Sequence, residues 1–147
     1  GKRKQIRHLR EIASAVPTGG NSRLIDDPDF ARKLSDASLA VDALEMTVLR
    51  VLSAVKDGGA PGKEASIIKV LATTAAQQIT TLYLDAAALN GVRGFADSVS
   101  PGWLEGDASA AFAAPGVSVY FGTRAQSIYG GTNEIQRNII AKRVLGL

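Results

Sequence analysis

The sequence predicts an all-α domain of the four-helix-bundle type, and three observations lead to this prediction. Apolar residues recur at spacings of three and four along most of the 147-residue chain, which is the pattern of amphipathic helices. Glycine and proline cluster in short stretches between these segments, where they end helices. No segment alternates apolar and polar residues as a half-buried strand does, so we expect no strand and a single helical domain over residues 1–147.

The first predicted helix covers residues 2–16. Its apolar face is formed by residues three and four apart, namely Ile6, Leu9, Ala13 and Val16. His8 lies off this face, which predicts a solvent-exposed side chain. The stretch Pro17–Ser22 contains two glycines and predicts a loop.

The second predicted helix has the clearest start, because Asp27 is a good N-cap and Pro28 suits the first helical position. A heptad-like apolar stripe follows, made of Phe30, Leu34, Ala37, Val41, Leu44, Val48, Val51 and Val55. Such a stripe predicts burial against another helix. Residues 57–62, which include three glycines and a proline, predict a turn that reverses the chain.

The third predicted helix runs from Glu64 to Leu89 and ends at Asn90-Gly91, a suitable left-handed C-cap. Its stripe consists of Ile68, Leu71, Ala75, Ile79, Leu82, Ala86 and Leu89. Because a short turn joins them, the second and third helices are expected to pack as an antiparallel pair.

The last third of the chain predicts an irregular stretch and two shorter helices. Residues 92–116 are rich in small residues and contain Trp103, which either lines a ligand cleft or fastens the stretch to the bundle, and we favour fastening. Residues 117–129, with Arg124, predict a short helix. The last helix is predicted over residues 133–145, with Ile135, Ile139 and Ile140 facing inward.

Composition excludes several classes of protein. The length suits one domain with a real core, and 46% of the residues are apolar. With no cysteine and one histidine, a disulfide is excluded and little is left for a metal site. No apolar run reaches the roughly 20 residues of a membrane span, and no signal-peptide pattern opens the chain. We therefore expect a cytoplasmic protein without a membrane span.

The net charge of +3 comes from the start of the chain. Residues 1–10 hold five of the 17 basic residues and no acid. A nucleic-acid patch is one interpretation, but no aromatic residue alternates with these charges. We interpret the basic start as a solvated helix face and expect no nucleic acid as a partner.

The corner before the last helix is the main candidate for a ligand site. Gly130 and Gly131 permit a sharp turn there. Either Thr132 or Asn133 caps the helix, and from Asn133 the side chain of Gln136 stands at capping-box spacing. The free N–H groups and the positive end of the helix dipole suit an electron-rich or anionic ligand. The alternative is a helix-loop-helix corner that binds nothing.

The residues around this corner resemble a known family. Residues 128–147 read IYGGTNEIQRNIIAKRVLGL, which closely resembles the C-terminal end of acyl-CoA dehydrogenases, where a Tyr-x-Gly-Thr corner precedes a helix reading like IQRxIIAKxxLG. Ala65–Lys69 with Leu82–Gly94 resembles the family's penultimate long helix and the Gly-x-x-Gly turn after it. The resemblance implies the C-terminal fragment of a larger flavoenzyme chain.

The resemblance also implies a chemistry. Acyl-CoA dehydrogenases remove a proton α to the thioester carbonyl of an acyl-CoA substrate and pass the β hydride to FAD, and an electron-transfer acceptor reoxidises the flavin. By position, the implied FAD-binding residues are Gly91, Gly94, Ile128, Thr132 and Glu134. The implied substrate residues are Tyr129 and Gly130.

The catalytic base is absent from its usual place. In the best-known branch of the family a glutamate follows the corner tyrosine, but Gly130 follows Tyr129 here. Branches with a Gly-Gly corner carry the base on the first helix of this domain, where Glu11 is the one acid. The resemblance therefore predicts a base before Gly1, with Glu11 as the alternative.

Two further departures from the family pattern widen the choice of function. Ala88 stands where many relatives have a glutamine that contacts FAD, and Asn21–Leu24 replaces an Arg-x-x-Phe-Gly motif. Three functions remain open: a domain of a working FAD-dependent acyl-CoA dehydrogenase, the assembly domain of a non-catalytic partner subunit, or a stand-alone helical binding module. The first two predict a homo- or hetero-oligomer.

Overall fold

The architecture is a bundle of helices, as the sequence predicts. The computed structural model describes residues 1–56, 62, 64–97, 116 and 118–147, and the side chains of residues 88–97 lie outside that description. The long helices are α1 (Lys2–Ala15), α2 (Pro28–Lys56) and α3 (Glu64–Asp97). The shorter ones are α4 (residues 118–124) and α5 (Asn133–Ile140), and a π-helical turn at Ala141–Leu145 continues α5. The helix predicted to reach residue 129 thus ends at residue 124, where a 3₁₀ turn follows.

The main core lies where α1, α2 and α3 meet. Its largest fully buried side chains are Leu9, Val41 and Ile79, one from each helix. The predicted face of α1 is confirmed for Ile6, Leu9 and Ala13, and Ile12 joins it. Val16 follows the helix and is half-buried against the same core.

Helix α2 begins as predicted. The carboxylate of Asp27 accepts a hydrogen bond from the backbone N–H of Phe30 at 2.8 Å, and Pro28 is the first helical residue. The first five residues of the predicted stripe, from Phe30 to Leu44, are buried. Val48, Val51 and Val55 are half-buried. The start of α1 lies beside the middle of α2, where Arg3 forms ion pairs with Asp42 and Glu45.

Leu44, the last of the buried residues of α2, gives a test of the packing. Leu44 is 8% exposed and lines an open apolar groove of about 460 Å³ between α2 and α3. We expect Leu44→Ala to lower the free energy of unfolding by about 2 kcal/mol, the low end for a buried leucine, because the cavity opens to solvent. Leu145→Ala is the control, since Leu145 is 66% exposed. Equal urea midpoints for the two variants would contradict the assigned burial.

The connection between α1 and α2 corrects the prediction of a strandless chain. Pro17–Gly19 and Ser22–Arg23 form a short antiparallel pair, β1 and β2, in place of the predicted loop. Gly19 and Gly20 have positive φ angles of 126° and 54°, which let two such short segments turn back on each other. A 3₁₀ turn at Leu24–Asp26 then leads into α2.

Helix α3 is longer than predicted. The sequence predicts an end at Asn90-Gly91, but the helix continues to Asp97, so this prediction is wrong, as is that of irregular backbone over residues 92–97. A glycine inside a helix costs only about 1 kcal/mol relative to alanine, which helix-favouring neighbours offset. The predictions for residues 57–61, Trp103 and the side chains of Ala88 and Leu89 lie outside the described residues.

Helix α3 is buried on two sides, whereas the sequence predicts one stripe. Ala75, Ile79, Leu82 and Ala86 are the buried part of the predicted stripe, and Ile68 and Leu71 are half-buried. On the far side, buried residues recur at spacings of seven: Ser66, Thr73, Thr80 and Ala87. Thr80 on this second side contacts Thr123 of α4. The central position of α3 therefore places the short helices, and the corner between them, on the side away from α1 and α2.

The inward face of α5 differs partly from the prediction. Ile139 and Ile140 are half-buried, but Ile135 is 52% exposed, so its predicted inward position is wrong. Asn133 takes the inward position instead and is 8% exposed. Because successive helical residues turn by about 100°, Ile135 then points away from the bundle.

Candidate functional site

The corner consists of residues 128–132, between a 3₁₀ turn at Ala125–Ser127 and α5. Gly130 and Gly131 have φ angles of 65° and 87°, a left-handed conformation that L side chains rarely adopt. A Cβ atom on Gly131 would lie 2.8 Å from Nε2 of Gln136. The left-handed backbone therefore favours glycine at both positions, whereas the Gln136 amide is the end of a flexible side chain that could move aside.

The cap of α5 is Thr132, which decides between the two predicted alternatives. Its backbone is extended, with φ −62° and ψ 155°, and its hydroxyl accepts a hydrogen bond from the N–H of Ile135 at 3.3 Å. Asn133 is the first helical residue. Gln136 does not complete a capping box from Asn133; its side-chain N–H donates to the carbonyl of Gly130 at 3.1 Å. The turn and the first helical turn are thus joined into one unit.

Two sets of hydrogen bonds attach this unit to α3. At the α5 end, Lys69 Nζ donates to Oδ1 of Asn133 at 2.7 Å. At the α4 end, Arg124 donates to the carbonyl of Gln77 at 3.0 Å and to the hydroxyl of Thr80 at 3.1 Å. The hydroxyls of Thr80 and Thr123 lie 2.9 Å apart. The backbone of the corner is therefore held from both sides.

The outer surface of the corner is apolar and exposed. The exposed fractions are 64% for Ile128, 68% for Tyr129 and 52% for Ile135. Large apolar side chains exposed together mark a surface that contacts another molecule more often than a free one. The corner thus presents an apolar patch beside the N–H end of a helix.

Glu134 is the one acid of the corner unit, and its environment makes it a weak base. Its own backbone N–H, then the Thr132 hydroxyl, hold the pKa of the Glu134 carboxyl below its usual range. The side chain is 76% exposed and lies 3.9 Å from Arg137. A carboxylate with a lowered pKa suits a hydrogen-bond or charge contact better than proton abstraction.

The structure groups some of the residues implied by resemblance and separates others. Ile128, Tyr129, Gly130, Thr132 and Glu134 all belong to the corner and the first turn of α5. Gly91 and Gly94 lie inside α3 rather than in a turn after it, so the predicted turn is wrong. Their part in FAD binding stays a prediction.

Glu11 lies on a different part of the bundle. Its carboxylate is 66% exposed and is 3.5 Å from His8, which is exposed as predicted and contacts the ring of Tyr83 on α3. The corner meets α3 at Lys69. The fourteen helical steps from Lys69 to Tyr83 correspond to about 21 Å along the axis. Glu11 is thus far from the corner along α3.

Comparison with known proteins identifies the family of this chain. The profile described as "Acyl-CoA dehydrogenase, C-terminal domain" matches residues 3–145. The chain belongs to the acyl-CoA dehydrogenase family. The matched span contains α1 from its second residue, α2 to α5 and the whole corner unit. Within the described part of the chain, no helix is long and apolar enough to cross a membrane, and no three His, Cys, Asp or Glu side chains group as metal ligands.

Relatives and a solved structure agree with this assignment. The chain is 31% identical over 146 residues to acyl-CoA dehydrogenase IpdE1 of Mycobacterium tuberculosis and 29% identical over 144 residues to IpdE1 of Mycolicibacterium smegmatis. Each alignment covers 98% of this chain but only 33% and 32% of the relative, so the chain spans about a third of their length. The crystal structure of the ChsE4-ChsE5 complex from M. tuberculosis aligns with a TM-score of 0.67 at 27% identity, covering 99% of this chain and 35% of that one.

Sequence reasoning missed the residues that hold the corner. Lys69 and Asn133 lie 64 residues apart, and Gln77 and Arg124 lie 47 apart, so no local pattern joins them. A signal for Lys69 is present all the same: it is the one charged residue between Ala65 and Leu84. A charge inside an otherwise uncharged helix predicts a specific partner.

Proposed function

We propose that this chain forms the C-terminal helical domain of an FAD-dependent acyl-CoA dehydrogenase, an oxidoreductase that desaturates an acyl-CoA thioester between its α and β carbons in the cytoplasm. In this proposal the corner residues 128–132 and the start of α5 form one wall of the flavin and acyl sites. The observation that carries the proposal is the corner itself, an exposed apolar surface next to a helix N-terminus within the matched span.

The corner has the chemistry that a flavin ring requires. Ile128, Tyr129 and Ile135 offer an exposed apolar surface for a flat ring system. The first turn of α5 adds the positive end of a helix dipole, which favours electron-rich oxygen and nitrogen atoms. A Cβ atom on Gly130 would meet nothing within 4 Å, so the turn leaves open space on this side.

Five residues of the corner and the first turn of α5 have proposed roles. Thr132 and Ile128 would hold the FAD, with Glu134 as a further contact, and Tyr129 and Gly130 would face the thioester. When bound, FAD supplies the acceptor for the β hydride. Because Gly130 has no side chain and Glu134 is a weak base, the proton acceptor would come from outside the corner. An electron-transfer acceptor would complete the cycle.

A second function, the assembly domain of a non-catalytic subunit, is supported by two observations. Gly130 occupies the position where the best-known relatives carry the base. A similar solved structure is described as a complex of two proteins, ChsE4 and ChsE5. In this alternative the same helices would join a flavin-binding subunit without a complete site of their own.

The experiment that separates these functions is the absorption spectrum of the longest natural chain that contains these residues. We expect flavin bands after purification and their bleaching when an acyl-CoA is added anaerobically. Flavin bands that occur only after mixing with a second subunit would favour the assembly function. A protein that takes up no FAD alone or in a complex would contradict both proposals.

We also expect the chain to self-associate or to pair with a related subunit. Helix α2 exposes four large apolar residues: Leu39, Met46, Leu49 and Leu52. Burial of such side chains at an interface is favourable by about 25 cal/mol per Å² of apolar surface. Sedimentation velocity should give a dimer or tetramer, and Met46→Glu should shift it towards monomer. A wild-type monomer at high concentration, unchanged by a related subunit, would contradict this prediction.

A further inference from the structure

Lys69 has an unusual place in α3. It is half-buried and lies on the helix side that carries buried Ser66 and Thr73, opposite the main core. A lysine in such a place loses part of its hydration and requires a partner. Its hydrogen-bond partner is a neutral amide, the side chain of Asn133, and the Glu134 carboxylate is close enough to interact with its charge.

The bond between these two residues is short and protected. Lys69 Nζ donates to Asn133 Oδ1 at 2.7 Å, and Asn133 is 8% exposed. Hydrogen bonds from a charged donor are about twice as strong as neutral ones. Among the described residues, this is the side-chain hydrogen bond that joins α3 to α5.

Its position controls the corner. Asn133 is the first residue of α5 and follows the Thr132 cap, so a fixed Asn133 fixes the direction of the first helical turn. The neighbouring Gly130 and Gly131 have no side chains with which to hold the turn. Ile128 and Tyr129 are mostly exposed and add little packing.

The charge of Lys69 has a cost and a benefit at this place. The N-terminal end of a helix is positive, so a nearby ammonium group is disfavoured by the dipole. The charge also strengthens the hydrogen bond to Asn133 and is attracted by the Glu134 carboxylate. Lys69 thus brings a positive charge to the first turn of α5, beside which an electron-rich ring would bind in the proposed function.

We propose that Lys69 is a positioning residue, which through Asn133 holds the Thr132 end of α5 and thereby the corner surface for flavin. The consequence for flavin rests on the proposed function, whereas the consequence for the corner does not. The two are tested by separate measurements.

The first measurement is hydrogen exchange of backbone amides in this 147-residue chain. Lys69→Met should raise the exchange rates of the Ile135 and Gln136 amides about tenfold, on the order of the loss of one charge-assisted hydrogen bond. Amides of α1 and α2 should keep their rates. Lys142→Met, which removes an exposed lysine beyond α5, is the matched control and should leave all rates unchanged.

A second pair of variants tests the same hydrogen bond with smaller chemical changes. Asn133→Asp retains the acceptor and should retain wild-type protection. Lys69→Gln retains a neutral N–H donor, should give intermediate protection, and replaces Lys69→Met if that variant does not fold. Unchanged exchange in both Lys69 variants, or a rise spread evenly over α1 to α5, would overturn the proposal.

The second measurement is FAD affinity in the longest natural chain that contains these residues. Lys69→Met should raise the Kd for FAD about tenfold, while Lys142→Met leaves it unchanged. If the wild-type protein binds FAD and Lys69→Met binds it equally well, Lys69 does not position the flavin surface. If the wild-type protein binds no FAD, the proposed function fails, and the exchange measurement alone decides the role of Lys69 at the corner.

Discussion

Ile79→Ala is expected to lower the free energy of unfolding by about 4 kcal/mol, within the range for fully buried aliphatic side chains. Ile79 is 0% exposed and lies in the middle of α3, in the core shared with α1 and α2. Unlike Leu44, which lines an open groove, Ile79 has no exposed surface, so the cavity left by the deleted atoms stays closed. Because α3 also carries α4 and α5, loss of this contact weakens the whole bundle.

Urea denaturation at constant pH measures this effect. Leu145→Ala is the matched control, because Leu145 is 66% exposed and its truncation should change the free energy of unfolding by less than about 0.5 kcal/mol. A change below about 1 kcal/mol for Ile79→Ala would mean that α3 is not the centre of the core.

The sequence predicts those parts of the fold in which a local pattern determines the structure. The Asp27-Pro28 start of α2 and the apolar face of α1 follow from spacing and capping rules, and both are confirmed. The second buried side of α3 was missed because its residues are threonine, serine and alanine, which periodicity of large apolar residues does not detect. The end of α3 was misplaced because Asn90-Gly91 satisfies a capping rule that the longer helix overrides.

The candidate site was predictable to a similar extent. The Gly-Gly turn and a polar cap are local features, and the structure has both between the 3₁₀ turn and α5, whereas the predicted helix over residues 117–129 wrongly includes Ile128 and Tyr129. Thr132 rather than Asn133 caps the helix, and the Asn133 side chain accepts a hydrogen bond from Lys69 of another helix instead. Contacts between residues so distant in the chain are set by packing and leave little trace in either segment.

Glu11 is expected not to act as the catalytic base. Its carboxylate is 66% exposed and pairs with His8, at a level of α3 about 21 Å from the point where Lys69 holds the corner. A general base must lie within hydrogen-bond reach of the proton that it removes. Glu11→Gln in the longest natural chain should therefore leave acyl-CoA turnover unchanged. His8→Gln, which changes the residue that pairs with Glu11, is the control for local structural effects.

These 147 residues on their own are expected not to dehydrogenate an acyl-CoA, even with added FAD. The corner holds no suitable base, because Gly130 has no side chain and the lowered pKa of Glu134 makes it a poor proton acceptor. Ile128 and Tyr129 form one exposed wall, whereas hydride transfer requires the flavin fixed rigidly against the β-carbon. The measurement is acyl-CoA-dependent reduction of an acceptor dye, with the longest natural chain as the positive control. Turnover by the isolated residues that Glu11→Gln abolishes would contradict both expectations and make Glu11 the base.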